Sequence, residues 1–410
     1  MSGTLGSVAD GRLKLRVEDF FDFATCERCG TCLAECPVLS YPPPRARAEK
    51  EKLLRGKRSE VLDRCKSCFS CERLCSHGCH PYYLILYRWF ERYQRQGIPE
   101  HALRSLPGDH HNYLSAAEAS YTHRERALVA QWAANARADL SGRDVIFAGC
   151  NALIFPSLLD SPLWAPLTVI GARGLCCGEV PFRMGLFDRT RALAHDLSAM
   201  YELTRPRRVF MFCLAGYHMQ KHILPQRFGC DFQPEIVYLL DWLLDRIKSG
   251  ELTVKAPINR RVVLQDSCHA KALGPGFFDK PRELLRLLGA TVVDMDPCRE
   301  KQICCGMADG IPRFSPIDMV AGGLRQWRLA QASGADVFVP YCATCYLMLR
   351  IAHLIYPSRL PCRHLLELVG PALGFRIHSQ GRQRTSKVLG AMLAGGMRDL
   401  LRGGRVRPTR

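Results

Sequence analysis

A chain of 410 residues, 47% hydrophobic and 23% charged, is too long for one core and has the balance of a soluble globular protein of roughly two to four domains. Its 21 cysteines exclude the small disulfide-stapled secreted class, because C-x-x-C spacing in a large chain reads as metal binding in a reducing compartment. The net charge of +18 is uneven: residues 376–410 carry nine Lys/Arg against one acid, Asp399. The first residues lack the basic-then-apolar layout of a signal peptide, and no apolar run is long enough to span a bilayer. A cytoplasmic protein is expected, with any membrane contact peripheral, at the inner face of the cytoplasmic membrane.

In chain order, residues 1–15 read as a tail and 16–100 as a mostly helical ferredoxin-type domain. Cys26, Cys29, Cys32 and Cys36 form a C-x2-C-x2-C-x3-C-P run, and Cys65, Cys68, Cys71 and Cys75 repeat it without the proline. Thiolate is a soft ligand that selects iron–sulfur clusters, zinc or Cu(I). Structural zinc usually draws cysteine pairs from two knuckles, which this doubled run is not. In such runs three cysteines wrap one cluster and the fourth reaches across to the other. The expected sets for two [4Fe–4S] clusters are therefore Cys26, Cys29, Cys32 and Cys75, and Cys65, Cys68, Cys71 and Cys36. Cys79 is a rival to Cys75. Helices are predicted over 47–64 and 82–96, and a linking helix over 116–140 within a 101–142 linker.

From residue 143 the chain repeats itself. The segment ending at Cys150 parallels that ending at Cys268, the triplet Cys176-Cys177-Gly178 parallels Cys304-Cys305-Gly306, and Cys213 parallels Cys342. The offsets of 118, 128 and 129 residues describe a duplication with one gap near its front. Short β-branched strands alternate with helices predicted over 189–203 and 319–332, which implies βαβ units with parallel sheets and cysteines at strand ends. The predicted class is thus α plus α/β: two units, 143–255 and 256–375, follow the helical domain, and a basic tail closes the chain over 376–410. Val388, Leu389, Met392, Met397, Leu400 and Leu401 share one helical face in that tail, and a helix there needs a surface to lie on. The tail is either a disordered, solubilising end or a docking element for anionic lipid, nucleic acid or an acidic partner.

The second copy, C-x35-CC-x36-C-x2-C, resembles the CCG-domain proteins: the B and fused D subunits of heterodisulfide reductases, and the iron–sulfur subunits of glycolate oxidase and anaerobic glycerol-3-phosphate dehydrogenase. The resemblance covers nearly the whole chain. It implies that Cys268, Cys304, Cys305, Cys342 and Cys345 hold a non-cubane [4Fe–4S] cluster at which a disulfide is cleaved. Asp266 and His269 match the family's Asp-x-Cys-His segment. Cys268, Cys345 and His269 are the expected catalytic residues, the histidine either delivering a proton to a leaving thiolate or hydrogen-bonding a cluster sulfur. The first copy departs from this pattern: its early gap is 25 residues and Gly216 stands where the last cysteine belongs. Cys150, Cys176, Cys177 and Cys213 are left with a four-coordinate cluster, a zinc ion or an empty structural site. His218 lies nearby as a substitute ligand or a structural histidine. The loop 306–310 lacks the run of glycines common in the family. Cys230, Cys298 and Cys362 read as small buried hydrophobes.

No dinucleotide or P-loop fingerprint occurs, so a flavin, if used, belongs to a partner subunit. The expected function is an electron-transferring iron–sulfur subunit of a heterodisulfide reductase-like complex, relaying electrons between a flavoprotein partner and a thiol/disulfide couple. The alternative is the iron–sulfur subunit of a glycolate/lactate or glycerol-3-phosphate dehydrogenase passing electrons to quinone, with the basic tail reaching a membrane quinone-reducing component. No basic, aromatic-rich face supports nucleic-acid binding, and none is expected.

Overall fold

The computed structural model describes residues 8–9, 12–13, 15–107, 112–356, 358–377, 381–402 and 404–407. It is a mixed helical and α/β protein with parallel sheets. The expected tail over 1–15 falls largely outside the described residues.

The cysteine-rich N-terminal region is held by short helices on a long aromatic one. Pro81–Gln96 begins with proline at its first position, where a missing N–H costs nothing. Tyr82, Leu84, Leu86 and Trp89 are fully buried, and Trp89 Nε1 donates to the Leu62 carbonyl at 3.0 Å. The sequence predicts one aromatic face here, yet Pro81 through Trp89 is buried all round. The reason is packing from two directions. Phe20 and Phe90 both stack on Phe187, so this core runs on into the first α/β unit. Gly185, at φ +68°, lets the chain pass against the Phe90 backbone, where a Cβ would lie 2.8 Å from Phe90 N.

The predicted helix over 47–64 is two helices, Pro43–Leu54 and Val61–Arg64, parted around Gly56 at φ +64°. The linking helix is likewise two, Tyr113–Glu118 and His123–Asn135. Thr122 restarts the second: its side chain accepts from Glu125 N while Glu125 reaches back to the Thr122 backbone. That reciprocal cap is stronger than helical continuity through Ser120 and Tyr121.

The first sheet runs Thr168–Ile170, Asp144–Phe147, Arg208–Met211, Glu235–Tyr238, all parallel. The second runs Thr291–Val293, Arg261–Gln265, Val337–Pro340, also parallel, with Cys362 bridging Phe338 where the first sheet has its fourth strand. Strand order is therefore the same in both. The connecting helices Phe187–Thr204 and Pro316–Ala332 match the predicted positions within a few residues.

The basic C-terminal segment does not hang free. Gly381–Arg402 is a helix packed on Tyr113–Glu118 and Ala343–Ile355, and Arg405–Val406 pairs antiparallel with Ile98–Pro99. Arg384 is 2% exposed, paired with Glu125 at 2.5 Å. Val388 is buried and Met392 packs on the main core. The side chains of Met397, Leu400 and Leu401 lie outside the described ones. The surface this helix was expected to need is supplied by the protein itself. Among the described residues, no helix is long and apolar enough to cross a membrane.

Candidate metal centres

All 21 cysteines are free thiols. In the N-terminal region, Cys26, Cys29, Cys32 and Cys75 line one cavity together with Cys79 and Lys50. Cys79 Sγ lies 3.3 Å from Cys75 Sγ, so the rival ligand adjoins the preferred one. Cys29 is exposed, which puts this set at the surface. Lys50 is 2% exposed, its ammonium 4.4 Å above the Phe21 ring. Burial pushes the Cys32 thiol up to about 11, opposed by the nearby Lys50 charge. Cys36, the last cysteine of the first run, is not among those lining this cavity. Burial raises its thiol too, and Cys68 of the second run is the nearest charge acting in the same direction. Cys65 feels Cys68 and Cys36 alike. The fold thus brings Cys75 to the first run, while Cys36 lies outside that cavity and bears electrostatically on Cys65 of the second run.

In the second α/β unit every predicted ligand meets at the carboxyl ends of the strands. Cys268 opens the helix Cys268–Leu273 after the strand Arg261–Gln265, and Cys342 caps Ala343–Ile355 after Val337–Pro340. Cys304 and Cys305 precede Gly306, which sits at φ +114° with the Met319 carbonyl where a Cβ would be. Only glycine fits there. Cys268, Cys304, Cys305, Cys342 and Cys345 line a single cavity. Hydrogen bonds from Cys304 and Cys345 bring the Cys305 thiol down to about 6, whereas Cys345 is driven well above the ordinary value as donor to Cys305. Five soft sulfur donors around one cavity fit an iron–sulfur group.

The same cavity is lined from the other side by Glu179, Arg183 and Ala215 of the first α/β unit. Arg183 is 1% exposed and its Nη2 donates to Cys268 Sγ at 3.2 Å. Its Nη1 reaches the Ser67 carbonyl, between Cys65 and Cys68, and Phe69 lies 4.6 Å beneath the guanidinium. Glu179 pairs with Arg183 and lies 3.1 Å from His269 Nε2. Burial works to raise the Glu179 carboxyl, but the charges of Arg183 and His269 outweigh it and bring it down to about 2.

His269 lies in the cavity wall as expected, but its ring nitrogens are engaged by protein groups. Nε2 faces Glu179 and Arg183, and Nδ1 meets His218 Nδ1 at 3.0 Å. Burial drives His218 well below its ordinary value, which makes it a neutral partner for His269. Asp266 points away from the cysteines. It is 4% exposed, grips Arg282 through both oxygens at 2.7 and 2.9 Å and accepts from Arg299 N at 2.8 Å. It anchors the strand end that presents Cys268.

The first unit's own cysteines divide. Cys150 Sγ and Cys176 Sγ are 3.7 Å apart, and Tyr113 of the linker hydrogen-bonds Cys150. Cys213 instead lies 3.8 Å from Cys342 Sγ of the second unit, and Asn151 joins that contact by donating to Thr344 Oγ1 at 2.7 Å. Among the described residues no group of three His, Cys, Asp or Glu side chains is placed to hold a single metal ion. The spare cysteines Cys230 and Cys362 are buried, and Cys298 is half-buried.

Sequence reasoning missed Lys50, Glu179, Arg183 and Lys271. Glu179, Arg183 and Lys271 carry one local signal, a charge among apolar neighbours close to a cysteine motif; Lys50, between Glu49 and Glu51, carries none.

A dicluster motif at one end and a five-thiol cavity at strand ends are features of iron–sulfur proteins. It matches the 4Fe-4S dicluster domain over residues 18–76 and the CCG cysteine-rich domain over residues 262–350. It is homologous to the D-type subunit of the dihydromethanophenazine:CoB--CoM heterodisulfide reductase of Methanosarcina barkeri, 24% identical over 408 residues that span 88% of this chain and 96% of that one. Shorter matches are to the "Probable iron-sulfur-binding oxidoreductase FadF" of Bacillus subtilis, 26% identical over 47% of this chain and 27% of the relative. The EtfAB:quinone oxidoreductase of Syntrophomonas wolfei is 22% identical over 42% of this chain and 23% of its own.

Proposed function

We propose that this chain is the electron-transferring iron–sulfur subunit of a heterodisulfide reductase-like complex, passing electrons between a flavoprotein partner and a thiol/disulfide couple at the CCG cavity. The observation that carries it is the convergence of Cys268, Cys304, Cys305, Cys342 and Cys345 on one cavity, braced directly to the Cys65–Cys71 loop by Arg183. In this proposal Cys26, Cys29, Cys32 and Cys75 hold one [4Fe–4S] cluster, Cys65, Cys68, Cys71 and Cys36 a second, and the five CCG cysteines a third of non-cubane type. Bound there, such groups supply one-electron carriers in series. The exposed Cys29 supports entry from a partner at the first set, and the CCG set, buried at Cys304, Cys305, Cys342 and Cys345 and half-buried at Cys268, supports chemistry largely shielded from water. The same strand order in both sheets supports reading 143–255 as a degenerate copy of the unit over 256–375.

The protein's own contribution is positional. His269, held by Glu179 and His218, keeps one ring orientation in the wall, and Gly306 lets the two adjacent cysteines turn into the cavity. Iron and labile-sulfide analysis of the anaerobically purified chain tests the proposal: about twelve irons or more are expected, and about eight would overturn the CCG assignment. The name of the quinone oxidoreductase relative favours the alternative, in which a dehydrogenase complex hands electrons through this chain to quinone. Co-purification separates the two: a hydroxyacid-oxidising flavoprotein supports the alternative, a flavoprotein coupled to a thiol/disulfide pair the proposal.

A further inference from the structure

Two buried cations stand between the second dicluster cysteine set and the CCG cavity. Lys271, 1% exposed, lies one helical turn beyond Cys268. Its Nζ donates to Ser70 Oγ at 2.7 Å, beside Cys71, and to the carbonyl of Gln302, two residues before Cys304. Among the described residues it makes no ion pair with a carboxylate. Arg183 spans the same gap from the other unit, tying Cys268 Sγ to the Ser67 backbone. Among the described residues, Arg282 pairs with Asp266, Arg384 with Glu125 and Arg88 with Glu91, whereas the buried Lys50 forms no carboxylate ion pair either and lines the first dicluster cysteine set. An ammonium withdrawn from water without a counter-charge is costly, so Lys271 calls for an anion close by. Its hydrogen bonds hold it beside the cysteine sets: Ser70 adjoins Cys71, and Gln302 lies two residues before Cys304.

Resting on the proposed function, we infer that Lys271 and Arg183 are the counter-charges of two adjacent thiolate-bound iron–sulfur sites and set their reduction potentials. Each site gains one electron and no proton when reduced, so its negative charge grows by one. A fixed positive charge in a low-dielectric interior favours that reduced form. Lys271, held beside Cys71 and by the carbonyl two residues before Cys304, raises both potentials. Arg183 touches Cys268 and raises chiefly that of the CCG site. Glu179, a carboxylate in the same cavity wall, acts with the opposite sign. These are positioning residues, and the degenerate half supplies two of them to the intact half.

The test is an EPR-monitored redox titration of the full chain, purified without air and reduced with dithionite. K271M is expected to lower the midpoints of the second dicluster site and the CCG site by at least a tenfold change in the reduction equilibrium, about 59 mV for a one-electron couple. The site at Cys26, Cys29, Cys32 and Cys75, which has its own Lys50, stays in place. R183M lowers the CCG midpoint, E179Q raises it, and K271R and R183K restore most of the wild-type value. Iron-replete variants titrating like wild type, or all sites moving together, would overturn the inference. If the methionine variants fail to accumulate, E179Q alone decides, since a midpoint that stays or falls contradicts it. A wild type with about eight irons would end the proposed function and this inference together; a full complement with unmoved potentials ends this inference alone.

Discussion

The two α/β units place their cysteines at the same strand ends and use them differently. In the second, Cys345 stands on the first turn of Ala343–Ile355, three residues beyond Cys342, and completes a five-thiol cavity. In the first, Gly216 occupies that place on Leu214–His218, and a Cβ there would press on Met211 Cε at 2.8 Å. The space of the missing thiol has been taken by core packing. Cys213 leans across to Cys342, and the residues after the first CCG triplet, Glu179 and Arg183, turn into the neighbour's cavity. The first unit thus lends polar groups to the cavity of the second.

That contrast can be broken experimentally at three strengths. The largest effect is expected from Cys345→Ser, which should remove the CCG-site EPR signal and about four irons while sparing the dicluster signals; an unchanged spectrum would show that Cys345 is no ligand. Next comes a matched pair of glycine substitutions. Gly306→Ala places a methyl on the Met319 carbonyl at 2.2 Å, and a loss of more than about 3 kcal/mol is expected in denaturant unfolding. Gly178→Ala meets only Thr190 Cγ2 at 3.3 Å and bears mainly its φ of +77°, for about 1 kcal/mol. Equal costs would mean the two triplets are packed alike. The smallest effect is expected from Cys213→Ser: iron content within error of wild type, with an altered line shape of the CCG signal through the 3.8 Å contact with Cys342. Loss of a cluster's worth of iron would instead make Cys213 a ligand.

Much of the candidate site was legible because metal ligation is written locally. A doubled C-x2-C-x2-C-x3-C and a C-x35-CC-x36-C-x2-C name their own ligand candidates, and Gly216 marks the defect without any coordinates. The fold class was legible for a similar reason, since β-branched segments alternating with amphipathic helices leave few arrangements beyond parallel sheets. Helix continuity was less so. The break at Thr122 depends on a cap that outweighs propensity, and that at 55–60 on a glycine turn.

By itself the sequence offered the candidate iron ligands, their grouping by spacing, and the parallel between residues 143–255 and 256–375. Tertiary structure alone decided which charges surround them. Arg183 meets Cys268 across 85 residues of chain, and Lys271 meets Ser70 across 201. It also decided that the basic C-terminal helix buries Arg384 against Glu125. Thiolate ligands are specified by short-range spacing, because a cluster is only a few ångströms wide. A buried charge is specified by whatever the folded chain brings beside it, and its cost is met only once that partner has arrived.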